Sequence, residues 1–317
     1  MRDAFTRALM REAAVNPRIT LITGDLGFGV LKPFWETYPK QFINAGIAEQ
    51  SMTSMAAGLA LTGRTVLTYS IGNFPTLRCL EQIRNDCAYH GASVKIVCVG
   101  GGFVYGSLGM SHHATEDMAI MRALPSVTVF TPGDPAEVEA VVPVMLRTPG
   151  ACYLRLGRGG EPTVHKEPIG EWHISTPLTL RSGTDVALLS AGGVLTQIAE
   201  AAELLAAKGI SAEVVSFPCI KPMDAEAVEA LCRRFRHIVT VEEHTIVGGF
   251  GSAVCEAASE SGSGCRIHRI GMQDKYSAIV GTQQYLRTQY QMDATAIARR
   301  TEAWLNGSKG DQDRTDG

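Results

Sequence analysis

The sequence lacks the features that mark membrane, secreted and nucleic-acid-binding proteins. No uncharged apolar run is long enough to span a bilayer, and the mixed, amphipathic start is unlike a signal peptide. The eight cysteines are scattered with no CxxC pair, so we expect a reducing, cytoplasmic compartment. The 29 basic and 32 acidic side chains leave a net charge of −3, which gives no general attraction for nucleic acid or an anionic membrane.

Two glycine-rich loops follow predicted strands, but neither has the spacing of a nucleotide-binding motif. GDLGFG (24–29) lacks the GxGxxG pattern, and GGGFVYG (100–106) is not followed by the Lys-Ser/Thr pair of a phosphate loop. We interpret both as tight strand-to-helix turns, where glycine accepts backbone conformations that other residues avoid. There is therefore little support for a self-contained dinucleotide-binding fold.

What the chain does contain is a repeated alternation of β-branched runs with helical patterns. A strand pattern at 65–70, a helical pattern at 77–90 and a strand pattern at 94–102 are typical. This alternation predicts an α/β fold of two doubly wound domains with mostly parallel sheets. The expected parts are a first domain at 1–160, a linker at 161–180, a second domain at 181–305 and a disordered tail at 306–317.

One acid, Glu49, stands near the front of the small and apolar segment NAGIAEQSMTSMAAGLAL (44–61). The segment predicts a helix that begins near Ala48 and is capped by Asn44 or Gly46, and an acid in its first turn complements the helix dipole. A carboxylate framed by apolar side chains is also suited to share a proton with a bound base. The residues alone leave both interpretations open.

Two histidines, His112 and His113, lie in SHHATED (111–117), a loop that follows a strand and opens a helix. Adjacent side chains diverge and no second ligand cluster is evident, so we predict no metal site in this chain. The histidines are better placed for hydrogen bonding or proton transfer at the carboxyl edge of a parallel sheet. The alternative is that the segment only caps the helix.

Arg155 and Arg158 lie at the end of a predicted strand, in YLRLGR (153–158). Open parallel sheets bind ligands at this edge, and either arginine suits an anion such as a phosphate. An extended strand presents only one of the two to a given pocket. A salt bridge that anchors the linker is the alternative.

The longer motifs run in one order along nearly the whole chain. The first are INAGIAEQSMTSMAAGLALTG, LRCLEQIRND, VKIVCVGGGFVYG and SHHATEDMAIMRALPSVTVFTPGDP, and the later ones are VALLSAGG, VVSFPCIKPMD and VEEHTIVGGFGSAV. Together they resemble the transketolase-like thiamine diphosphate enzymes. The first group is similar to the pyrimidine-binding domain of that family, and the second group is similar to its C-terminal domain.

The family's GDG motif and its following Asn, which bind diphosphate and magnesium, have no counterpart here. GDL (24–26) is the nearest match, but it lies in the part that resembles the pyrimidine-binding domain. The resemblance therefore implies the second half of a split transketolase, inactive alone and joined to a diphosphate-binding partner in an α2β2 heterotetramer. Thiamine diphosphate would be the cofactor, with Mg²⁺ held mainly by the partner. The small residues of 44–61 would pack where this chain self-associates.

By this resemblance the chain would transfer a two-carbon ketol unit from a ketose to an aldose. Glu49 would hydrogen-bond the aminopyrimidine ring and activate the cofactor, and His112 would contact substrate hydroxyls and assist proton transfer. Phe74 would stack on the pyrimidine, whereas Ile71 stands where a second aromatic is common. The matching positions are Glu49 and His112 for catalysis, Glu49, Phe74, Ile71 and Asp25 for the cofactor, and His112, His113, Arg158 and Arg2 for the substrate.

Two positions depart from the family pattern. Leu108 replaces an acid that reads a donor hydroxyl, and Gly100 falls where a phosphate-binding histidine is expected. Arg158 and Arg2 match the phosphate-binding arginines, so a phosphorylated sugar is the first expectation. A different anionic or branched sugar is compatible with the same residues.

Three alternatives share part of this resemblance. The beta chain of a 2-oxo acid dehydrogenase has both domains, and a half resembling deoxyxylulose-phosphate synthase is another candidate. A non-catalytic regulatory subunit is favoured by the residues at Ile71 and Leu108 but opposed by the presence of Glu49, Phe74 and His112. None of the three predicts a nucleic-acid or membrane partner.

Overall fold

The structure confirms the predicted α/β fold with two mostly parallel sheets. This computed structural model describes residues 1–260, 262 and 264–312. The strands of the first part are β1 (Ile19–Thr23), β2 (Phe42–Asn44), β3 (Thr65–Ile71), β4 (Val94–Val99), β5 (Thr128–Phe130) and β6 (Cys152–Leu156). Its helices are α1 (Arg2–Val15), α2 (Lys32–Thr37), α3 (Glu49–Leu61), α4 (Leu80–Gln82), α5 (Asp117–Ala123) and α6 (Pro135–Arg147).

The second part repeats the alternation. Its strands are β7 (Leu178–Arg181), β8 (Val186–Ala191), β9 (Ala212–Ser216), β10 (Cys219–Lys221), β11 (His237–Thr245) and β12 (Arg266–Met272). Its helices are α7 (Leu195–Ala206), α8 (Ala225–Arg234), α9 (Phe250–Glu260), α10 (Gln283–Gln289) and α11 (Ala294–Gln312). No helix in the described part of the chain is both long and apolar enough to cross a bilayer.

The two sheets differ in size, and one strand from the second part of the chain belongs to the first sheet. The first has seven strands in the order β10-β5-β6-β4-β3-β1-β2, and the second has five in the order β12-β11-β8-β9-β7. All neighbours are parallel except β10, which pairs antiparallel with β5, and β7, which pairs antiparallel with β9. Because β10 comes from the second part of the chain but completes the first sheet, it ties the two parts together.

The central strands are buried on both faces, as their β-branched composition predicts. Every residue of β4 and of β8 is buried. One core cluster includes Met52 of α3 and continues to Phe217 and Phe250 in the second part of the chain. The two sheets therefore pack as one body, with the carboxyl ends of β1, β3, β4 and β6 at a common edge of the first sheet.

Short and irregular elements differ from the sequence prediction. The helical pattern at 77–90 becomes consecutive 3₁₀, α and π turns over 77–88, because hydrophobic periodicity does not distinguish these bonding patterns. The strands β7 and β10 are absent from the prediction, and β7 begins inside the predicted linker. Helix α11 extends to Gln312, so 306–312 of the predicted disordered tail are helical, while 313–317 lie outside the described residues.

Candidate cofactor and substrate site

Glu49 is the first residue of α3 and is almost completely buried, with 4% of its surface exposed. The chain turns into the helix at Gly46, whose φ of +72° is a conformation that favours glycine. Ala48 occupies the N-cap position without a side-chain hydrogen bond, so the predicted capping by Asn44 or Gly46 is wrong. The carboxylate of Glu49 thus lies at the positive end of an uncapped helix, where a negative charge is stabilised.

A chain of contacts runs from Glu49, at the start of α3, to His112. Arg78 Nη1 donates a hydrogen bond of 2.8 Å to Glu49 Oε2. The Arg78 guanidinium also lies over the Phe74 ring, with Cζ 4.4 Å from the ring centre. The Phe74 ring in turn meets the His112 ring edge-on, at 5.1 Å between centres. Side-chain contacts therefore connect Glu49 and His112 through Arg78 and Phe74.

The loops that carry Phe74 and His112 are fastened to each other. Asn73 Nδ2 donates a hydrogen bond of 2.7 Å to the carbonyl of His113. His112 Nδ1 lies 3.0 Å from the hydroxyl of Ser111, and the imidazole remains partly exposed. Ile71 ends β3 on the same side of the sheet, two residues before Asn73. These bonds fix the orientation of the aromatic ring and the imidazole relative to each other.

Asp25 follows β1 at the same edge of the sheet. Its φ of +57° places it in the left-handed region, and Asn44 holds this conformation through two hydrogen bonds of 3.0 Å to the Asp25 amide and carboxylate. The neighbouring Gly24 approaches Glu49 so closely that a Cβ there would touch the glutamate side chain. Asp25 itself is exposed beside Glu49, without a hydrogen bond to it.

His113 points away from the other candidate residues. Its ring is 3% exposed and packs edge-on against Phe103, at 5.2 Å between ring centres. Nε2 lies 3.2 Å from the carbonyl of Gly106. This placement anchors the loop from inside the protein, whereas His112 faces outward.

Arg2 and Arg158 meet at Tyr105. Arg158 Cζ is 5.7 Å from the centre of the Tyr105 ring, and Arg2 lies beside Gly159. Burial raises the pKa of the Tyr105 hydroxyl, and the positive charges of Arg2 and Arg158 act in the opposite direction. Two arginines and a phenol thus converge, a combination that suits an anionic group.

Arg158 lies beyond the end of β6, and both Arg155 and Arg158 line the same cleft, so the expected alternation of a strand does not separate them. Arg155 is held in a buried network. Its Nε donates to Asp117 Oδ2 across 2.7 Å, and Tyr153 donates to the same oxygen across 2.5 Å. Burial alone would raise the pKa of Asp117, but the Arg155 guanidinium and the nearby His244 lower it below its usual value. This buried network fixes the first turn of α5, so Asp117 is a structural partner and not a helix cap.

A cleft of about 410 Å³ separates the carboxyl ends of the two sheets and is lined by Arg158, Gly193, Glu243 and Arg287 among others. Glu243, at the end of β11, is 2% exposed. Its Oε1 accepts a hydrogen bond of 2.5 Å from the amide of Phe103, and its Oε2 pairs with Arg287. The second domain therefore holds the start of the loop that carries His112.

Sequence reasoning missed three of these residues. Arg78 follows an aromatic residue by four positions, which is a weak signal for a stacked cation. Tyr105 fills the space above Gly100, where a Cβ would overlap its ring, and only the missing side chain at Gly100 hinted at this. Glu243 acts across a domain boundary, so no local pattern could reveal its contact with Phe103.

The identity of the chain follows from its relatives. A family model described as "Transketolase, pyrimidine binding domain" matches residues 1–161, and one described as "Transketolase, C-terminal domain" matches residues 177–297. The chain belongs to the transketolase family. The resemblance drawn from the sequence motifs is thereby confirmed.

Two curated relatives and one solved structure show which members are similar. A relative from Phocaeicola vulgatus, named as a subunit of apulose-4-phosphate transketolase, is 34% identical over 299 residues, covering 94% of this chain and 95% of the relative. The 6-deoxy-6-sulfo-D-fructose transketolase subunit SqwH of Clostridium sp. (strain MSTE9) is 33% identical over 302 residues, covering 94% and 92%. A structure described as a split gene transketolase, inactive beta4 tetramer, has a TM-score of 0.88 and 34% identity, covering 96% of this chain and 98% of that one.

Proposed function

We propose that this chain is the pyrimidine-binding subunit of a split transketolase that uses thiamine diphosphate to move a two-carbon ketol unit from a ketose to an aldose. One observation carries the proposal. The guanidinium of Arg78 touches the Glu49 carboxylate and the Phe74 ring at the same time, over 2.8 Å and 4.4 Å. A planar, nitrogen-rich group therefore fits between the two, and the aminopyrimidine ring of the cofactor has the same character.

Several residues of this chain have separate roles at that site. Glu49 holds a proton at the ring nitrogen of the aminopyrimidine, and Phe74 stacks on the ring. When bound, the cofactor supplies the electron sink for breaking the carbon–carbon bond. His112, beside Phe74, is placed to hydrogen-bond substrate hydroxyls and to transfer a proton at the substrate oxygen. Ile71 and Asp25 border the cofactor.

The substrate's anionic end would bind at Arg2 and Arg158. The positive charges of both arginines act on Tyr105, whose hydroxyl adds a donor where Gly100 offers no side chain. A relative is named for a sugar phosphate and another for a sulfo-sugar, so an anionic ketose agrees with this arrangement. Leu108 is 56% exposed and presents an apolar surface where the family pattern has an acid. We therefore expect a ketose donor whose group next to Leu108 does not need a hydrogen bond to a carboxylate.

A second chain is needed for the diphosphate and Mg²⁺. The two matched family models are the pyrimidine-binding and C-terminal domains, and a structural relative is a split-gene beta4 tetramer described as inactive. The outer face of α3 supports self-association, because Ile47 before the helix is 77% exposed and Leu61 at its end is 60% exposed. We propose an α2β2 heterotetramer that works in the cytoplasm, with the cofactor between chains.

The experiment is to co-express this chain with a diphosphate-binding transketolase subunit and purify the complex. The complex is incubated with thiamine diphosphate, Mg²⁺, an aldose acceptor and a panel of phosphorylated, sulfonated and neutral ketoses. Ketol transfer by the complex, and none by either chain alone, is the expected result. A complex that carries Glu49→Gln is the matched control for contaminating activity.

Three results would overturn the proposal. Oxidative decarboxylation of a 2-oxo acid would assign the chain to the beta-chain class of dehydrogenases. A stable complex that binds no thiamine diphosphate would favour a non-catalytic subunit, since the cofactor site defines the enzyme class. Condensation of pyruvate with an aldose phosphate would instead favour a deoxyxylulose-phosphate-synthase-like half.

A further inference from the structure

Two buried carboxylates and one imidazole meet where the linker crosses the start of α6. Asp134 is the N-cap residue of α6, Glu137 lies in its first turn, and both are fully buried. His165 belongs to the linker, and its side chain is 12% exposed. One ligand atom from each of the three residues lies within 4.8 Å of the others. None of them takes part in the cofactor or substrate site.

Asp134 fixes the imidazole in one orientation. Its Oδ1 accepts the amide of Glu137 across 2.9 Å, and its Oδ2 accepts the amides of Val164 and His165 across 2.8 Å and 3.1 Å. The same Oδ2 lies 3.0 Å from His165 Nδ1. Because an aspartate carboxylate only accepts, Nδ1 carries the hydrogen, and Nε2 has a lone pair for a metal ion when the imidazole is neutral. Metal-binding histidines are commonly held by a carboxylate in this way.

Glu137 faces the free side of the imidazole. Its Oε2 accepts the amide of Gly133 across 2.6 Å. Its Oε1 and His165 Nε2 are both buried and lack a hydrogen-bond partner within the described residues. These two atoms are 3.7 Å apart, which is too long for a hydrogen bond. An ion about 2.1 Å from both would form an angle of about 125° with them, close to the geometry of a four-coordinate zinc site.

The two carboxylates of the cluster have few positively charged neighbours. Within the described ranges, no Lys or Arg nitrogen lies within ion-pair distance of Asp134 or Glu137, and His165 is their only cationic neighbour. Burying two carboxylates is unfavourable unless a positive charge compensates them.

We propose that His165 Nε2 and Glu137 Oε1 bind one divalent transition-metal ion such as Zn²⁺, with Asp134 orienting the imidazole. Nitrogen and oxygen ligands in this combination suit Zn²⁺, Mn²⁺ or Co²⁺. A groove of about 900 Å³, lined by Thr163, His165 and Lys166 among others, runs along the linker at His165. The ion fastens the linker to α6, and this site departs from the sequence prediction of no metal.

The test uses the full-length chain, stripped with a chelator and then dialysed against Zn²⁺. Zinc content is measured for the natural sequence and for His165→Gln, Glu137→Gln and His173→Gln. His173 is the matched control because it is an exposed histidine of the same linker and the same groove. The cysteines are unchanged in all four proteins, so zinc bound to sulfur cancels in the comparison.

We expect the natural chain and His173→Gln to bind one more equivalent of zinc than the other two variants. We also expect zinc to raise the melting temperature of the natural chain and of His173→Gln by several degrees. The melting temperatures of His165→Gln and Glu137→Gln should not change. Equal zinc content in the natural chain and His165→Gln would overturn the proposal, as would an equal loss in His173→Gln. If His165→Gln does not fold, Glu137→Gln decides by the same criterion, since its amide oxygen still accepts from Gly133.

Discussion

Arg78 joins the carboxylate of Glu49 to the ring of Phe74 with a single guanidinium, 2.8 Å from the first and 4.4 Å from the centre of the second. The Arg78 side chain is 46% exposed, so solvent screens the ion pair and its contribution to stability is small. Gln50 holds the backbone of Arg78 through a hydrogen bond of 3.1 Å, which leaves the side chain free to move. An aminopyrimidine that reaches both Glu49 and Phe74 must therefore displace Arg78.

Replacing Glu49 by Gln should stop catalysis without unfolding the protein. The amide cannot take part in proton sharing with the cofactor, so we expect kcat of the assembled complex to fall by at least about a hundredfold. The free energy of unfolding of the chain should fall by no more than about 1–2 kcal/mol, because the lost ion pair is screened and the lost interaction with the helix dipole is small. Turnover and urea unfolding measure the two effects. The exposed acid Glu81, changed to Gln, is the control, and near-normal turnover in Glu49→Gln would contradict the assigned role.

Gly100 and Gly63 have nearly the same backbone conformation but different surroundings. Their φ values are +97° and +91°, yet a Cβ on Gly100 would overlap the Tyr105 ring, whereas a Cβ on Gly63 would meet nothing within 4 Å. Gly63→Ala should lower the free energy of unfolding by about 1 kcal/mol from backbone strain alone. Gly100→Ala should lower it by about 2 kcal/mol more through overpacking.

The variants Gly100→Ala and Gly63→Ala also test the proposed anion site at Arg2, Arg158 and Tyr105. Displacement of Tyr105 from Arg158 in Gly100→Ala should raise KM for an anionic ketose, and Gly63→Ala should leave KM unchanged. Urea unfolding of the chain and KM of the assembled complex are the measurements. Equal loss of stability in the two variants would show that Tyr105 does not fill the space at Gly100.

The buried pair Asp117–Arg155 should control stability in acid. The pKa of Asp117 is lowered from its usual 3.8, so its ionised form stabilises the fold above about pH 3.8, and this stabilisation is lost as the pH falls below that value. Asp117→Asn leaves the Arg155 charge unpaired and should cost about 3–5 kcal/mol at neutral pH. Between pH 5 and pH 3, the free energy of unfolding should therefore fall less in Asp117→Asn than in the natural chain.

Urea unfolding at several pH values checks this prediction. Glu139→Gln is the control, because Glu139 pairs with Arg7 over 2.7 Å on the exposed surface, where such pairs contribute at most about 1 kcal/mol. Parallel pH profiles for Asp117→Asn and the natural chain would mean that other carboxylates determine acid unfolding.

The sequence patterns predicted those parts of the fold that depend on local periodicity. Strands such as β4 are continuous β-branched runs buried on both faces, and this composition is visible without tertiary information. The three-residue strand β10 could not be predicted, because it exists only through its pairing with β5. The mixed helical turns over 77–88 were equally hidden, since their bonding depends on contacts outside the segment.

The candidate site could likewise be predicted only in part from the sequence. Glu49, Phe74 and His112 were found from motifs, and the structure brings them together through Arg78. Whether His112 or His113 faces outward could not be decided from two adjacent identical residues, because the answer depends on the packing of His113 against Phe103. The role of Glu243 depends on a contact between residues 140 positions apart in the chain.

Glu243 offers the sharpest test of how the second domain contributes to catalysis. Its carboxylate accepts from the Phe103 amide and Gln283 and pairs with Arg287. Gly102, with a φ of +67°, lies against it, and a Cβ there would overlap the carboxylate. Glu243→Gln keeps the size of the side chain but removes the charge that holds Phe103 and Arg287 together, so the loop leading to His112 loses its anchor.

The expected result is a fall of at least about tenfold in kcat/KM of the assembled complex, which corresponds to about 1.4 kcal/mol of transition-state free energy. Glu213→Gln is the matched control, because Glu213 is equally buried in the second domain but pairs with Arg234 on the surface side. Both variants should lose stability, since each breaks the ion pair of a buried carboxylate with an arginine. Only Glu243→Gln should lose kcat/KM, because only Glu243 contacts the loop that carries His112. An equal loss of kcat/KM in both variants would show that Glu243 has only a structural role.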